Sequence, residues 1–144
     1  MLVEVAHLTK IVLLVSDLRR SRQFYQGLGF RVVRRHEDGL SVAFGEDTLE
    51  LRSDGRATAG PHYFTPEISR FPRGTGVELV FPTAEIDRLH ERARSLDVDI
   101  VAAVAAGDRP GGGFGVSDPD GYLLRFVPMV QAMAADVRTA ASRA

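Results

Sequence analysis

The chain has no cysteine. That excludes disulfides, zinc knuckles and thiol catalysis, and it suits a reducing cytoplasm. There is no surplus of charge of either sign: the net charge is −1 and the pI is near 6.4. Neither nucleic acid nor an anionic membrane surface is therefore implied as a partner. Long hydrophobic runs are missing as well. The early run "IVLLV" is far too short to span a bilayer, and Glu4 and Lys10 break the pattern of a signal peptide. Lysine is nearly absent, with seventeen arginines against Lys10 alone. At 144 residues the chain is long enough for one domain built on its own core.

What is present is an order of elements that occurs twice. "KIVLLVSD" is a short run of branched residues stopped by Ser16 and Asp17, which predicts a strand over about 10–16. Leu18, Ser21, Phe24, Tyr25 and Leu28 then recur at helical spacing, with Asp17 placed to cap the start and Gly29 suited to the left-handed position that ends it. "FRVVRR", "LSVAFG" and "DTLELRS" read as three strands, and Asp38-Gly39 marks a tight turn between the first two. The second half follows suit. "GVELVFP" is a strand, Ile86, Leu89, Ala93 and Leu96 mark a helix, and "VDIVAAV", "GGFGVS" and "GYLLRFV" are strands. A strand–helix–three-strand unit that occurs twice is an internal duplication. The expected fold is α+β: two βαβββ modules curling into an open cup of mixed sheet.

The expected organisation is a single domain over 1–128, with module one at about 8–53, a connecting loop at about 54–74 and module two at about 75–127. The connection is punctuated by Gly55, Gly60, Pro61, Pro66 and Pro72 and has no elements of its own in this reading. The tail, 129–144, spaces Met129, Val130, Met133 and Val137 as a short packing helix.

Several of these motifs carry a resemblance. Val15-Ser16-Asp17, Phe24-Tyr25, Leu28-Gly29-Phe30 and Asp118-Pro119-Asp120-Gly121-Tyr122 together resemble the vicinal oxygen chelate group, also called the glyoxalase/bleomycin-resistance/dioxygenase superfamily, over about residues 8–127. The resemblance implies a cup in which enzyme members hold one divalent metal with four side chains, from the first and last strand of each module. It implies a His five residues before the Val of V-x-D, where this chain has Lys10. At the matching place before Phe81 stands Gly76. The "L-E-L" glutamate is present as Glu50, and four residues after the DPDG glycine stands Arg125. One metal ligand in four remains, so the expectation is no metal and no cofactor.

Strand alternation then supplies a partner for each charge. If Arg125 faces the cup, so do Leu123, Lys10, Val12, Leu14, Thr48, Glu50, Arg52, Gly76, Glu78 and Val80. Unpaired charge at that depth costs several kcal/mol, so Lys10 and Arg125 are expected to meet Glu50 and Glu78 where relatives hold the ion. Such a quartet either glues the modules together or leaves a cation to grip a ligand oxygen. Among the aromatic residues, Phe44 and Phe114 occupy equivalent third strands with their facing unsettled by the pattern. Tyr63 and Phe64 sit on the connecting loop, where aromatic side chains suit ligand contact. "RPGGGFG" follows no strand-to-helix turn and so is no nucleotide loop.

The expected ligand-binding set is Lys10, Glu50, Glu78, Arg125, Tyr63, Phe64, Phe44 and Phe114. The preferred function is metal-free sequestration of an aromatic or antibiotic-like small molecule by a cytoplasmic homodimer, resembling the drug-binding members of the group. A superfamily enzyme acting on a small oxygenated compound is the alternative, and a structural or regulatory protein with a vestigial cup is the second.

Overall fold

The computed structural model describes residues 10–57, 66–103 and 113–129. His7, His62, Tyr63, Phe64, most of "RPGGGFG" and the tail beyond Met129 lie outside them. Module one runs β1 (Ile11–Val15), α1 (Leu18–Gly27), β2 (Arg31–Arg35), β3 (Gly39–Phe44) and β4 (Asp47–Ser53). A helical turn, α2 (Asp54–Ala57), and a 3-10 turn at Pro66–Ser69 follow. Module two is β5 (Glu78–Thr83), α3 (Ile86–Ser95), β6 (Asp99–Ala103), β7 (Phe114–Ser117) and β8 (Leu123–Pro128). The connection thus has two short elements where the sequence pattern implies none. At the first, the Ser53 hydroxyl accepts the Gly55 N–H at 3.4 Å, in the manner of a cap.

Each module is one four-stranded mixed sheet, ordered β1-β4-β3-β2 and β5-β8-β7-β6. First and last strands pair parallel, and the other pairings are antiparallel. The duplication extends to a bulge in the second strand of each, at Val32/Arg34 and Val101/Ala103. Helix α1 starts where Asp17 Oδ1 accepts the N–H groups of Arg19 and Arg20, and it is followed by Gly29 at φ +102°.

One core serves both sheets. Phe30 and Phe44 of module one pack against Phe81 and Phe126 of module two with ring centroids 4.9–6.5 Å apart across the cluster. Val15, Val42, Leu49 and Leu51 fill it from one side, and Val116 and Leu124 from the other. Each such side chain, fully buried, contributes about 1.5–3 kcal/mol. The opposite faces of the two sheets are open: Val12 is 41% exposed and Val80 44%.

A polar clasp ties the modules at the "SDPDGY" turn. Asp118 Oδ1 accepts the N–H groups of Asp120 and Tyr122 within the turn, and its Oδ2 accepts the Tyr25 hydroxyl of α1 at 2.9 Å. Asp120 accepts the N–H of Ser16 with both oxygens, and the Tyr122 hydroxyl donates to the Leu14 carbonyl. Arg73, buried at 7% exposure, forks onto Asp54 through two 2.7 Å bonds and donates to the Leu14 carbonyl. Burial, then Asp118, pushes the Tyr25 hydroxyl well above the ordinary tyrosine range. Gly121, at φ +92°, is required here: a Cβ would stand 2.5 Å from Pro72 Cα. The V-x-D, F-Y and DPDG motifs therefore do mechanical work, joining one module's turn to the other's strand–helix junction.

Candidate functional site

Strand pairing assigns each residue to a face, because residues opposite one another across neighbouring strands project to the same side. Val12 pairs with Glu50, and Ser41 pairs with Glu50 from the other flank. The open face of module one thus carries Lys10, Val12, Ser41, Thr48, Glu50 and Arg52. In module two, Val80 pairs with Arg125, Glu78 with Leu123, and Gly115 with Arg125. Its open face carries Glu78, Val80, Gly115, Ser117, Leu123 and Arg125.

This pairing corrects the match made from spacing. Val12 opposite Glu50 corresponds to Val80 opposite Arg125, so the residue two before each, Lys10 and Glu78, are equivalent. Asp17 and Glu85, the residues before the two helices, agree with that register. Gly76 is therefore two residues out of place, and the four positions are Lys10, Glu50, Glu78 and Arg125. Two of them are carboxylates, where spacing alone finds one.

The charges pair within each sheet. Glu50, 3% exposed, is held by the Lys10 ammonium and by Arg52 Nε at 2.6 Å. Arg125 Nε meets Glu78 in module two, where both side chains are about one-third exposed or more. Among the described residues no ion pair joins one couple to the other, so the quartet expected to meet in one hollow is two separate clusters. The reason is the packing: the sheets turn their apolar faces to the shared core, and the charged faces look away from it. Burial pushes Glu50 up, but hydrogen bonds from Lys10 and Arg52 outweigh it and hold the carboxyl below its ordinary 4.5. Glu50 is thus a stable anion under two cations. His36 adds to this face, with Nε2 3.1 Å from the Ser41 hydroxyl.

The aromatic candidates lie elsewhere. Phe44 shares its strand face with Leu40 and Val42 and packs on Phe30, Phe81 and Phe126. Phe114, 3% exposed, packs on Phe126 and His90. Both belong to the core and not to the open faces, a correction that follows from strand register. Tyr63 and Phe64 lie outside the described residues. The apolar surface of the described faces is aliphatic: Val12, Val80, Val101 and Leu123. A cavity of about 340 Å³ on module two is lined in part by Val101, Ser117 and Leu123, with Val77 just before β5 and Phe71 of the connection.

A divalent metal does not fit these four positions. Both carboxylates are already engaged by cations, and Lys10 and Arg125 would repel an ion where relatives place donors. Among the described residues no group of three or more His, Asp or Glu is arranged to hold one. No helix among them is long and apolar enough to cross a membrane.

Residues 5–126 match the model of the Glyoxalase/Bleomycin resistance protein/Dioxygenase superfamily. No curated protein matches the chain significantly. Similar solved structures include the trypanothione-dependent glyoxalase I of Leishmania major, with TM-score 0.69 and 21% identity over 96% of this chain and 98% of that one. The fosfomycin resistance protein FosX of Mesorhizobium loti has TM-score 0.61 and 16% identity over 90% and 98%. A bleomycin resistance determinant encoded on the transposon Tn5 has TM-score 0.56 and 18% identity over 85% and 98%.

Proposed function

We propose, since the chain belongs to the Glyoxalase/Bleomycin resistance protein/Dioxygenase superfamily, that it is a metal-free receptor which sequesters a small amphipathic molecule of the antibiotic class. The observation that carries this reading is the replacement of ligand positions by fixed cations, with Lys10 on Glu50 and Arg125 on Glu78. A site so filled has polar anchors and no place for a Lewis acid, which suits binding better than metal-assisted chemistry. The likeness in fold to a fosfomycin resistance protein and a bleomycin resistance determinant supports the ligand class.

The receptor works as a cytoplasmic homodimer in this reading. Val12 and Val80 stand exposed on open faces, and a second copy laid across them would turn each half-cup into an enclosed site. The test is a thermal-shift panel of natural-product antibiotics. A ligand at a hundredfold excess over its Kd stabilises by about 2.7 kcal/mol, a rise of roughly 5–10 °C for a chain of this size. No rise with any compound of a broad panel would overturn the reading.

A further inference from the structure

The two open faces differ in charge, and the difference names a ligand class. On module one, Arg31 pairs with Ala43 and Arg34 with Ser41, which sets both arginines on the same side as Glu50. Simple alternation from Arg31 would send Arg34 to the core side; the bulge at Val32/Arg34 returns it to the open face. Among the described residues that face therefore carries Lys10 and Arg52 on the carboxylate of Glu50, and Arg31 and Arg34 on the edge strand beyond, with Arg31 donating to the Gly45 carbonyl and Asp38 acting on Arg52 from the hairpin. On module two the same side carries Glu78 and Asp99 against Arg125. Among the described residues the surplus is positive on one face and negative on the other.

Arg52 is also held in a way that leaves its best donors unused. It meets Glu50 through Nε, and no described residue takes a hydrogen bond from its two terminal nitrogens. The side chain is 46% exposed and Lys10 is 61% exposed, while the carboxylate between them is buried. A guanidinium anchored by Nε presents its outer fork in a fixed direction, and that fork matches the two oxygens of a carboxylate or phosphonate. Neutral donors follow on the same face: the Ser41 hydroxyl with His36, and Thr48.

We propose that the molecule bound is an organic anion, its carboxylate or phosphonate seated on the terminal nitrogens of Arg52 beside Lys10, with its apolar part on Val12. Glu50 is the positioning residue that aims both cations. This rests on the receptor reading above and narrows it to anions.

The experiment is isothermal titration of the full chain with three matched probes: 1-naphthoate, the neutral 1-naphthamide and the cationic 1-naphthylmethylammonium. The acid is expected to bind more tightly than the amide by about tenfold or more, with the amine weakest. Raising salt from about 50 to about 300 mM should weaken the acid and leave the amide unchanged. Arg52→Gln, checked for folding by circular dichroism, should erase the preference for the acid, and Arg52→Lys should restore part of it. Equal binding of acid and amide, unmoved by Arg52→Gln, would overturn the anion assignment and leave the receptor reading standing. So would a change in self-association of Arg52→Gln by sedimentation with acid binding intact, since the cations would then serve the negative face of a second copy. If none of the three probes binds and the antibiotic panel gives no shift, the receptor reading itself falls.

Discussion

Replacing Arg73 with methionine removes a guanidinium that holds three parts of the molecule at once. It forks onto Asp54 at 2.7 Å twice, donates to the Leu14 carbonyl at 2.9 Å, and lies 3.7 Å from Asp120. Methionine preserves the bulk of the stem, so the loss is one of charge and hydrogen bonds. Breaking a buried pair by deleting one partner costs about 3–5 kcal/mol. Asp54 is 21% exposed and recovers some solvation, whereas Asp120, at 5%, recovers little. The lower end, about 3 kcal/mol, is therefore expected. With a urea m-value of about 2 kcal/mol/M, that lowers the unfolding midpoint by about 1.5 M. The assay is far-ultraviolet circular dichroism in urea at fixed protein concentration, repeated on Asp54→Asn and on the double variant. Coupling requires the double variant to lose much less than the sum of the singles. A loss below about 1 kcal/mol for Arg73→Met, or strict additivity, would refute the view that this arginine clasps the modules.

Two further outcomes follow from the charged faces. Glu50 titrates below its ordinary value, so its stabilisation is present above that value and is lost as pH falls through the lowered one. Glu50→Gln should flatten the decline of urea midpoints between about pH 5 and pH 3; Asp118, raised chiefly by burial, acts in the opposite sense but equally in both proteins. An acid slope identical to that of the parent would contradict the pairing. The double substitution Lys10→His with Arg125→Glu places one imidazole and three carboxylates at the four equivalent positions. With a second copy laid across the open faces to bring the two couples to one ion, nickel affinity by titration calorimetry should rise roughly a hundredfold, about 2.7 kcal/mol. An unchanged heat of binding would show that the faces do not meet in this way or that the register of the second module is misassigned.

Much of the fold is legible in short stretches. The apolar run of β1, the Asp17 cap and the helical spacing through Tyr25 are each decided by neighbours in sequence, and the turn foreseen at Asp38-Gly39 is present one residue earlier, at Glu37-Asp38, with Gly39 opening β3. The opposition of Lys10 to Glu50 is legible too, because both sit at motif positions on strands whose alternation is clear. What misled was spacing in the second module. Its motifs are weaker, with Thr83-Ala84-Glu85 standing where module one has Val15-Ser16-Asp17, so the count back from Phe81 reached Gly76 instead of Glu78.

The amino-acid order by itself determined two repeated units, their elements and the chemical types at three of the four family positions, since period and local turn chemistry are properties of adjacent residues. Tertiary structure alone decided which face each side chain takes and whom it meets. A strand's period is two, so one residue of register or one bulge inverts the outcome. That is why Phe44 and Phe114 belong to the core, why Arg34 turns to the open side, and why the two acid–base couples stand apart. The burial of Arg73 is of the same kind, because Asp54, Leu14 and Asp120 come from distant parts of the chain and only the packed modules bring them within reach of one guanidinium.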